Sequence, residues 1–286
     1  MADNMLFKSI TSEDLSKLIT EKLGFTVNIS NPLKLCDLKP AFGHIFSDHL
    51  ENYDYWGYCD LDLVTGNLKK YVHPLYEAGV DVISFYKSFL SGPLCLFKKS
   101  THTLELYKKV QGYRAILMDP AYMAMDENNK SEEAEIARFS NLKARVQYLK
   151  YIFSNRNLRR SGFQEIRYRY QWFIKRKSAD LHPPYDMTDV VFQEKTKDGL
   201  STYFNDLMYS DRAYQRINHK YWTIKWENGK LYELRDNREI PVFHFVELKS
   251  KLNMTRIVDI DLKAGFSLDK EGLHFGDKYH QDHSDI

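Results

Sequence analysis

The chain has 286 residues, 43% of them hydrophobic and 28% charged, with a formal net charge of +2. That balance fits a folded globular protein with a sizeable core and excludes a disordered one. No apolar run reaches the ~18–20 residues of a membrane span, and Met1-Ala2-Asp3-Asn4 lacks the basic and apolar regions of a secretory signal. Cys36, Cys59 and Cys95 stand in apolar settings without metal-type spacing, so they read as thiols of a reducing compartment, and the cytoplasm is the expected location.

Residues 5–10 read as a short strand. Thr11 or Ser12 then caps a helix to about Leu23, with Glu13 and Asp14 in its first turn and Gly24 as its stop. Residues 25–29 read as a strand that Asn31-Pro32 breaks. Over 34–50, Leu35, Leu38, Phe42, Ile45, Phe46 and Leu50 recur at helical spacing, with Pro40 tolerated only near the helix start. Residues 56–59 read as a buried strand that runs straight into Asp60-Leu61-Asp62.

Thr65-Gly66-Asn67 marks a turn. Residues 80–86 and 94–97 read as strands separated by Ser91-Gly92-Pro93, and 101–110 as a helix. This alternation up to about residue 127 favours an α/β layered sheet with parallel components.

Residues 138–177 change character, with twelve basic side chains against the single acid Glu165, so the rest of the chain is net acidic. Aromatic residues such as Tyr148, Tyr151, Tyr168, Tyr170 and Trp172 are interleaved with them. Three readings stand: a solvated basic face, a peripheral contact with an anionic membrane, where each Lys or Arg adds ~1 kcal/mol, and nucleic-acid binding. Nucleic acid ranks last, because nothing else in the chain resembles a nucleic-acid module. Further on, aromatic runs flank Glu227-Asn228-Gly229, a strong hairpin signal. Residues 240–245 read as one more strand, and the end of the chain, with His274, His280 and His283, as a polar tail with solvated histidines. The expected organisation is a core over 1–127, a basic aromatic insertion over 128–218, completing strands over 219–263 and a tail over 264–286.

Two carboxylates one residue apart at the carboxyl end of a strand repel each other and lose solvation, and a divalent cation offsets both effects. A cation held this way is suited to gripping a diphosphate. The same spacing also arises in turns and helix caps.

The block Lys34-Leu35-Cys36-Asp37-Leu38-Lys39-Pro40-Ala41-Phe42-Gly43, followed by Tyr55-Trp56-Gly57-Tyr58-Cys59-Asp60-Leu61-Asp62-Leu63-Val64-Thr65-Gly66-Asn67-Leu68, resembles a family of largely uncharacterised bacterial proteins. That family is similar to glycosyltransferases of the type-A (GT-A) fold and is often associated with surface-polysaccharide genes. Val80-Asp81-Val82-Ile83-Ser84, Ser91-Gly92-Pro93-Leu94-Cys95-Leu96-Phe97 and His244-Phe245 follow in the same order, so the resemblance spans roughly 1–127 and 219–251.

The resemblance implies a GT-A-like, Rossmann-related mixed sheet flanked by helices, with a basic insertion and a C-terminal β-hairpin. It implies a metal-dependent transferase moving a sugar from a nucleotide-sugar donor to a surface-polysaccharide or lipid-linked glycan acceptor, in the cytoplasm or at the inner face of the membrane. On that pattern Asp60 reaches the donor and Asp62 ligates Mn2+ or Mg2+, which neutralises the leaving diphosphate. His244 joins the metal, and Lys249 lies on the diphosphate, although Glu247-Leu248 stands where related transferases usually have a glycine. Lys34 and Asp37 contact donor hydroxyls or phosphate, Ser91 and Gly92 border the acceptor side, and Asp126 or Glu127 serves as the general base.

The residues taken alone leave plainer alternatives open. Lys34 and Asp37 form a helix-surface ion pair at i, i+3, His244 is a strand histidine between Phe243 and Phe245, and Asp126-Glu127 belongs to ordinary loop composition. The usual nucleotide-base unit precedes the Lys34 block in this fold, and here it is expected to be shortened. The competing expectation is a catalytically inactive relative that acts as a glycan- or membrane-binding module.

Overall fold

The computed structural model describes residues 5–87, 89–127, 183–211, 222–250 and 265–275, with the single positions 146, 150 and 170. Apart from those single positions, the basic segment 138–177 lies outside the described residues, as do His280 and His283. The chain is mixed α/β, with sheets flanked by helices. A four-stranded sheet has the order β1–β4–β3–β5, formed by Tyr55–Cys59 (β1), Val82–Ser84 (β3), Leu94–Lys98 (β4) and Thr202–Phe204 (β5). A three-stranded sheet has the order β2–β10–β6, formed by Leu63–Thr65 (β2), Met208–Ser210 (β6) and Val242–His244 (β10). A five-stranded sheet, β12–β11–β7–β8–β9, is formed by Thr223–Glu227 (β7), Lys230–Glu233 (β8), Arg238–Ile240 (β9), Phe266–Asp269 (β11) and Gly272–Phe275 (β12).

The described residues fall into two compact units. The first is drawn from Met1–Tyr58, Leu96–Asn141 and Lys175–Leu200, and the second from Cys59–Cys95, Leu142–Ile174 and Ser201–Ile286.

In the first unit, helix α1 (Ser12–Leu23) begins and ends where its caps dictate. Thr11 Oγ1 accepts from the Asp14 amide at 3.1 Å, and Gly24 takes the left-handed conformation (φ 76°) that closes the helix. Residues 5–10 and 25–29 form no strand and pair with none among the described residues, and strand-forming side chains do not hold a ladder alone. Residues 34–50 keep their helical spacing but not one continuous helix. Helix α2 (Lys34–Leu38) gives way to a 3-10 turn over Lys39–Ala41 at Pro40, which has no N–H for the ladder, before α3 (Phe42–Ile45) resumes. Leu38, Ala41 and Ile45 all face the core. Gly43 admits Trp56, since a Cβ there would lie 2.5 Å from the indole ring. Trp56 in turn stacks on Phe97 at 4.5 Å between centroids.

Helix α4 (Leu68–Glu77) belongs to the second unit; in the first, Ser100 and Thr103 form a capping box for α5 (Thr101–Glu105), which continues as a 3-10 turn over Leu106–Lys109. Helix α6 spans Tyr113–Met118. Helix α7 (Met187–Lys197), capped by Asp186, packs on the Leu106–Lys109 turn and buries Met187, Val190 and Val191. The expected insertion over 128–218 is thereby corrected: α7, β5 and β6 lie within it and belong to the folded units.

In the second unit, Asn67 caps α4 by accepting from the Lys70 amide, so the expected turn at Thr65-Gly66-Asn67 leads directly into a helix. Asn228 (φ 51°) and Gly229 (φ 75°) are both left-handed, as a two-residue hairpin turn between β7 and β8 requires. The expected strand over 240–245 is two strands. Pro241 divides it, leaving β9 in the five-stranded sheet and β10 in the three-stranded one. The polar tail expected over 264–286 is also corrected, since β11 and β12 pair antiparallel and β11 continues onto β7. Leu268 packs into the core with Ile224, Leu231, Ile240 and Phe243. His274 bonds Asp269 at 3.0 Å rather than standing free in solvent.

Candidate metal centre

The three-stranded sheet concentrates polar residues at one edge. Strand β10 runs parallel to β6, so both end there, and antiparallel to β2, so β2 begins there. His244 is the last residue of β10 and lies opposite Leu63 on β2 and Ser210 on β6. Asp62 immediately precedes β2, and the Phe245 amide donates to its carbonyl at 3.1 Å, extending the ladder one step past the strands. Asp60, one residue past β1, is fixed through its own amide, which donates to the Pro93 carbonyl at 2.7 Å. Carboxyl ends of parallel strands are where α/β proteins place ligands.

This geometry brings one ligand atom each from Asp60, Asp62 and His244 within 4.8 Å of one another. Asp62 lies at the centre of the polar contacts. Its Oδ1 is 3.1 Å from His244 Nε2, and its Oδ2 accepts from Lys249 Nζ at 2.8 Å. Burial works to raise the Asp62 carboxyl, but hydrogen bonds from His244 and Lys249, reinforced by their charges, outweigh it and hold the group well below the usual carboxylate range. His244 is nearly buried, whereas Lys249 remains 56% exposed in its side chain.

Lys249 sits on a 3-10 turn, Leu248–Ser250, and the chain entering it is held by a residue that sequence reasoning missed. Asp211 follows β6 directly and is 1% exposed. Its Oδ1 accepts from the Val246 amide at 3.0 Å, and its Oδ2 accepts from the Glu247 and Leu248 amides at 2.9 and 2.8 Å. The only local signal is an aspartate after a three-residue strand, within a stretch expected to be an insertion.

The remaining expected site residues do other work. Lys34 and Asp37 are fully buried in the first unit. The Lys34 ammonium donates to Asp37 Oδ2, to the Ile116 carbonyl and to the Ala121 carbonyl. Asp37 also accepts from the amides of Met123 and Met125 at 2.9 and 2.8 Å. This corrects the expected donor contact: an ammonium whose three protons are committed internally has none for a phosphate.

Asp126 is 2% exposed with the Lys39 ammonium 3.7 Å away, a setting that does not suit a base meeting an acceptor hydroxyl. Glu127 is half-buried, and its carbonyl accepts from Thr188 Oγ1 at 2.7 Å. Ser91 is buried, with Oγ accepting from the Leu94 amide at 3.3 Å, so Ser91-Gly92-Pro93 shapes the entry to β4 and presents the Pro93 carbonyl to Asp60.

Two carboxylates and an imidazole form a mixed oxygen and nitrogen donor set. Such a set could take a divalent cation, the imidazole suiting transition-metal ions and the carboxylates also accepting harder ones. Among the described residues no helix is long and apolar enough to cross a membrane.

Fold and site together define a mixed α/β protein with a carboxylate–imidazole cluster at a sheet edge. The chain belongs to a family of unknown function, DUF6625, whose model matches residues 1–263. No curated protein and no solved structure matches it.

Proposed function

We propose that the protein is a metal-dependent glycosyltransferase of GT-A-like fold. It takes a nucleotide-sugar donor and a surface-polysaccharide or lipid-linked glycan acceptor, and works in the cytoplasm or at the inner face of the membrane. The observation that carries this reading is the meeting of Asp60, Asp62, His244 and Lys249 at one sheet edge, although Asp62 and His244 are 182 residues apart in sequence.

Asp60, Asp62 and His244 would hold the cation, which when bound supplies Lewis-acid stabilisation of a leaving diphosphate. Asp62 holds Oδ1 against His244 and Oδ2 on Lys249, so a bound cation would share this carboxylate with the lysine. Lys249 is exposed enough to swing its ammonium onto a phosphate oxygen. Leu61, between the two aspartates, is 98% exposed, so the outer side of the motif faces solvent. Lys34, Asp37 and Asp126 take no part, because each is committed to the interior of the first unit.

The test is Mn2+-dependent hydrolysis or transfer from a panel of nucleotide sugars, with wild type compared against Asp62→Ala and folding checked by circular dichroism. Turnover that requires Mn2+ and disappears in the folded variant is expected. Failure of the wild type to bind any nucleoside diphosphate with Mn2+ would overturn the reading in favour of a catalytically inactive, glycan- or membrane-binding relative.

A further inference from the structure

We infer that Asp211 is the positioning residue for Lys249, and through it for the diphosphate side of the site, an inference that rests on the functional reading above. Lys249 has a long, flexible and largely exposed stem, so its own side chain does not fix where the ammonium can reach. Its backbone origin does. The three amides just before it, those of Val246, Glu247 and Leu248, converge on the buried Asp211 carboxylate at 2.8–3.0 Å.

A carboxylate accepting three backbone N–H groups is a set of charge-assisted hydrogen bonds, each stronger than its neutral counterpart. Asp211 therefore sets the point at which the chain turns after His244. The topology makes this possible: parallel β6 and β10 end side by side, so the residue after one strand lies beside the loop after the other. The cation ligands depend less on Asp211. Asp62 and His244 are registered by the β2–β10 ladder, and Asp60 by Pro93.

The experiment compares wild type, Asp211→Asn, Lys249→Met and the double variant by calorimetry, first with Mn2+ alone and then with inorganic diphosphate in the presence of Mn2+. Asp211→Asn keeps the shape but loses the charge and turns an amide N–H towards a backbone N–H. It is expected to weaken diphosphate binding about tenfold without weakening Mn2+ binding. The double variant is expected to bind diphosphate no more weakly than Lys249→Met alone, because Asp211 acts through Lys249.

Losses that add in the double variant, equal loss of Mn2+ binding, or wild-type diphosphate affinity in Asp211→Asn would overturn the inference. Hydrogen exchange in the wild type keeps the test open should Asp211→Asn fail to fold. The amides of 246–248 are expected to be protected, and rapid exchange there would overturn the inference as well. A wild type that binds neither Mn2+ nor diphosphate would instead sink the functional reading on which the inference rests.

Discussion

The Lys249 ammonium lies 2.8 Å from Asp62 Oδ2, on the carboxylate that also faces His244. The lysine is therefore a counter-ion to the same group that would hold a cation, and the two positive charges compete for it. Replacing Lys249 by Met is expected to tighten Mn2+ binding in the absence of diphosphate by about fivefold, close to 1 kcal/mol for an exposed charge. The same substitution is expected to weaken diphosphate binding. Calorimetry with each ligand checks the opposite signs, and a loss of both affinities would show that Lys249 merely supports the fold.

In the first unit, Asp37 and Lys34 form a buried pair whose two members are not equivalent. Asp37 is held by the amides of Met123 and Met125 as well as by Lys34, so Lys34→Met leaves the carboxylate partly satisfied. Asp37→Asn instead leaves a buried ammonium without its counter-ion. The expected cost is about 3–5 kcal/mol for Asp37→Asn and about 2 kcal/mol for Lys34→Met. Urea denaturation measures both, and the order of the two costs is the point at issue.

His44 shares a 2.7 Å hydrogen bond with the Tyr107 hydroxyl, and burial, aided by the charge of Lys108, lowers its pKa from the ordinary 6.5. Around that pH the native state then binds fewer protons than the unfolded chain, so stability rises with pH through this window. The contribution is fully present above pH 6.5 and is lost as pH falls through the lowered native value. Thermal melts of wild type and His44→Asn across pH 5–8 are expected to show a stability difference that shrinks towards the acid end.

Gly66 passes so close to the five-stranded sheet that a Cβ would lie 2.7 Å from the Leu231 nitrogen and 3.0 Å from the Ile240 carbonyl oxygen. Backbone atoms cannot swing aside as a side chain would. Gly66→Ala is therefore expected to cost about 1–3 kcal/mol by overpacking, read as a lowered Tm, with the helical circular dichroism signal retained.

Features set by local chemistry were legible in the sequence. Thr11 and Gly24 bound α1, Asn228-Gly229 makes the hairpin, and β1 runs into Asp60 as its apolar run indicates. The encounter of His244 with the Asp60–Asp62 pair followed only from a resemblance, since a histidine between two phenylalanines carries no ligand signal of its own. What stayed hidden depends on distant partners. Spacing places Lys34 and Asp37 on one helical face, but only Met123 and Met125 show that this face points inward. Pro241 was visible, yet its effect, two strands in two sheets, depends on where β2 and β8 lie. Asp211 finds its role only because β6 and β10 are neighbours across more than thirty intervening residues.

The distance along the chain between Asp62 and His244 bears on the order of assembly. During synthesis the aspartate pair exists long before the strand that completes the cluster, and β2 cannot pair with β10 until nearly all of the described chain has been made. Such non-local pairings form slowly, because the loop must close before any contact rewards it. An ion captured by all three side chains would act as a clasp on that closure, drawing the late strand onto the early one and favouring the folded form by mass action. Metal supply during growth would then govern how much folded protein accumulates, apart from any effect on turnover.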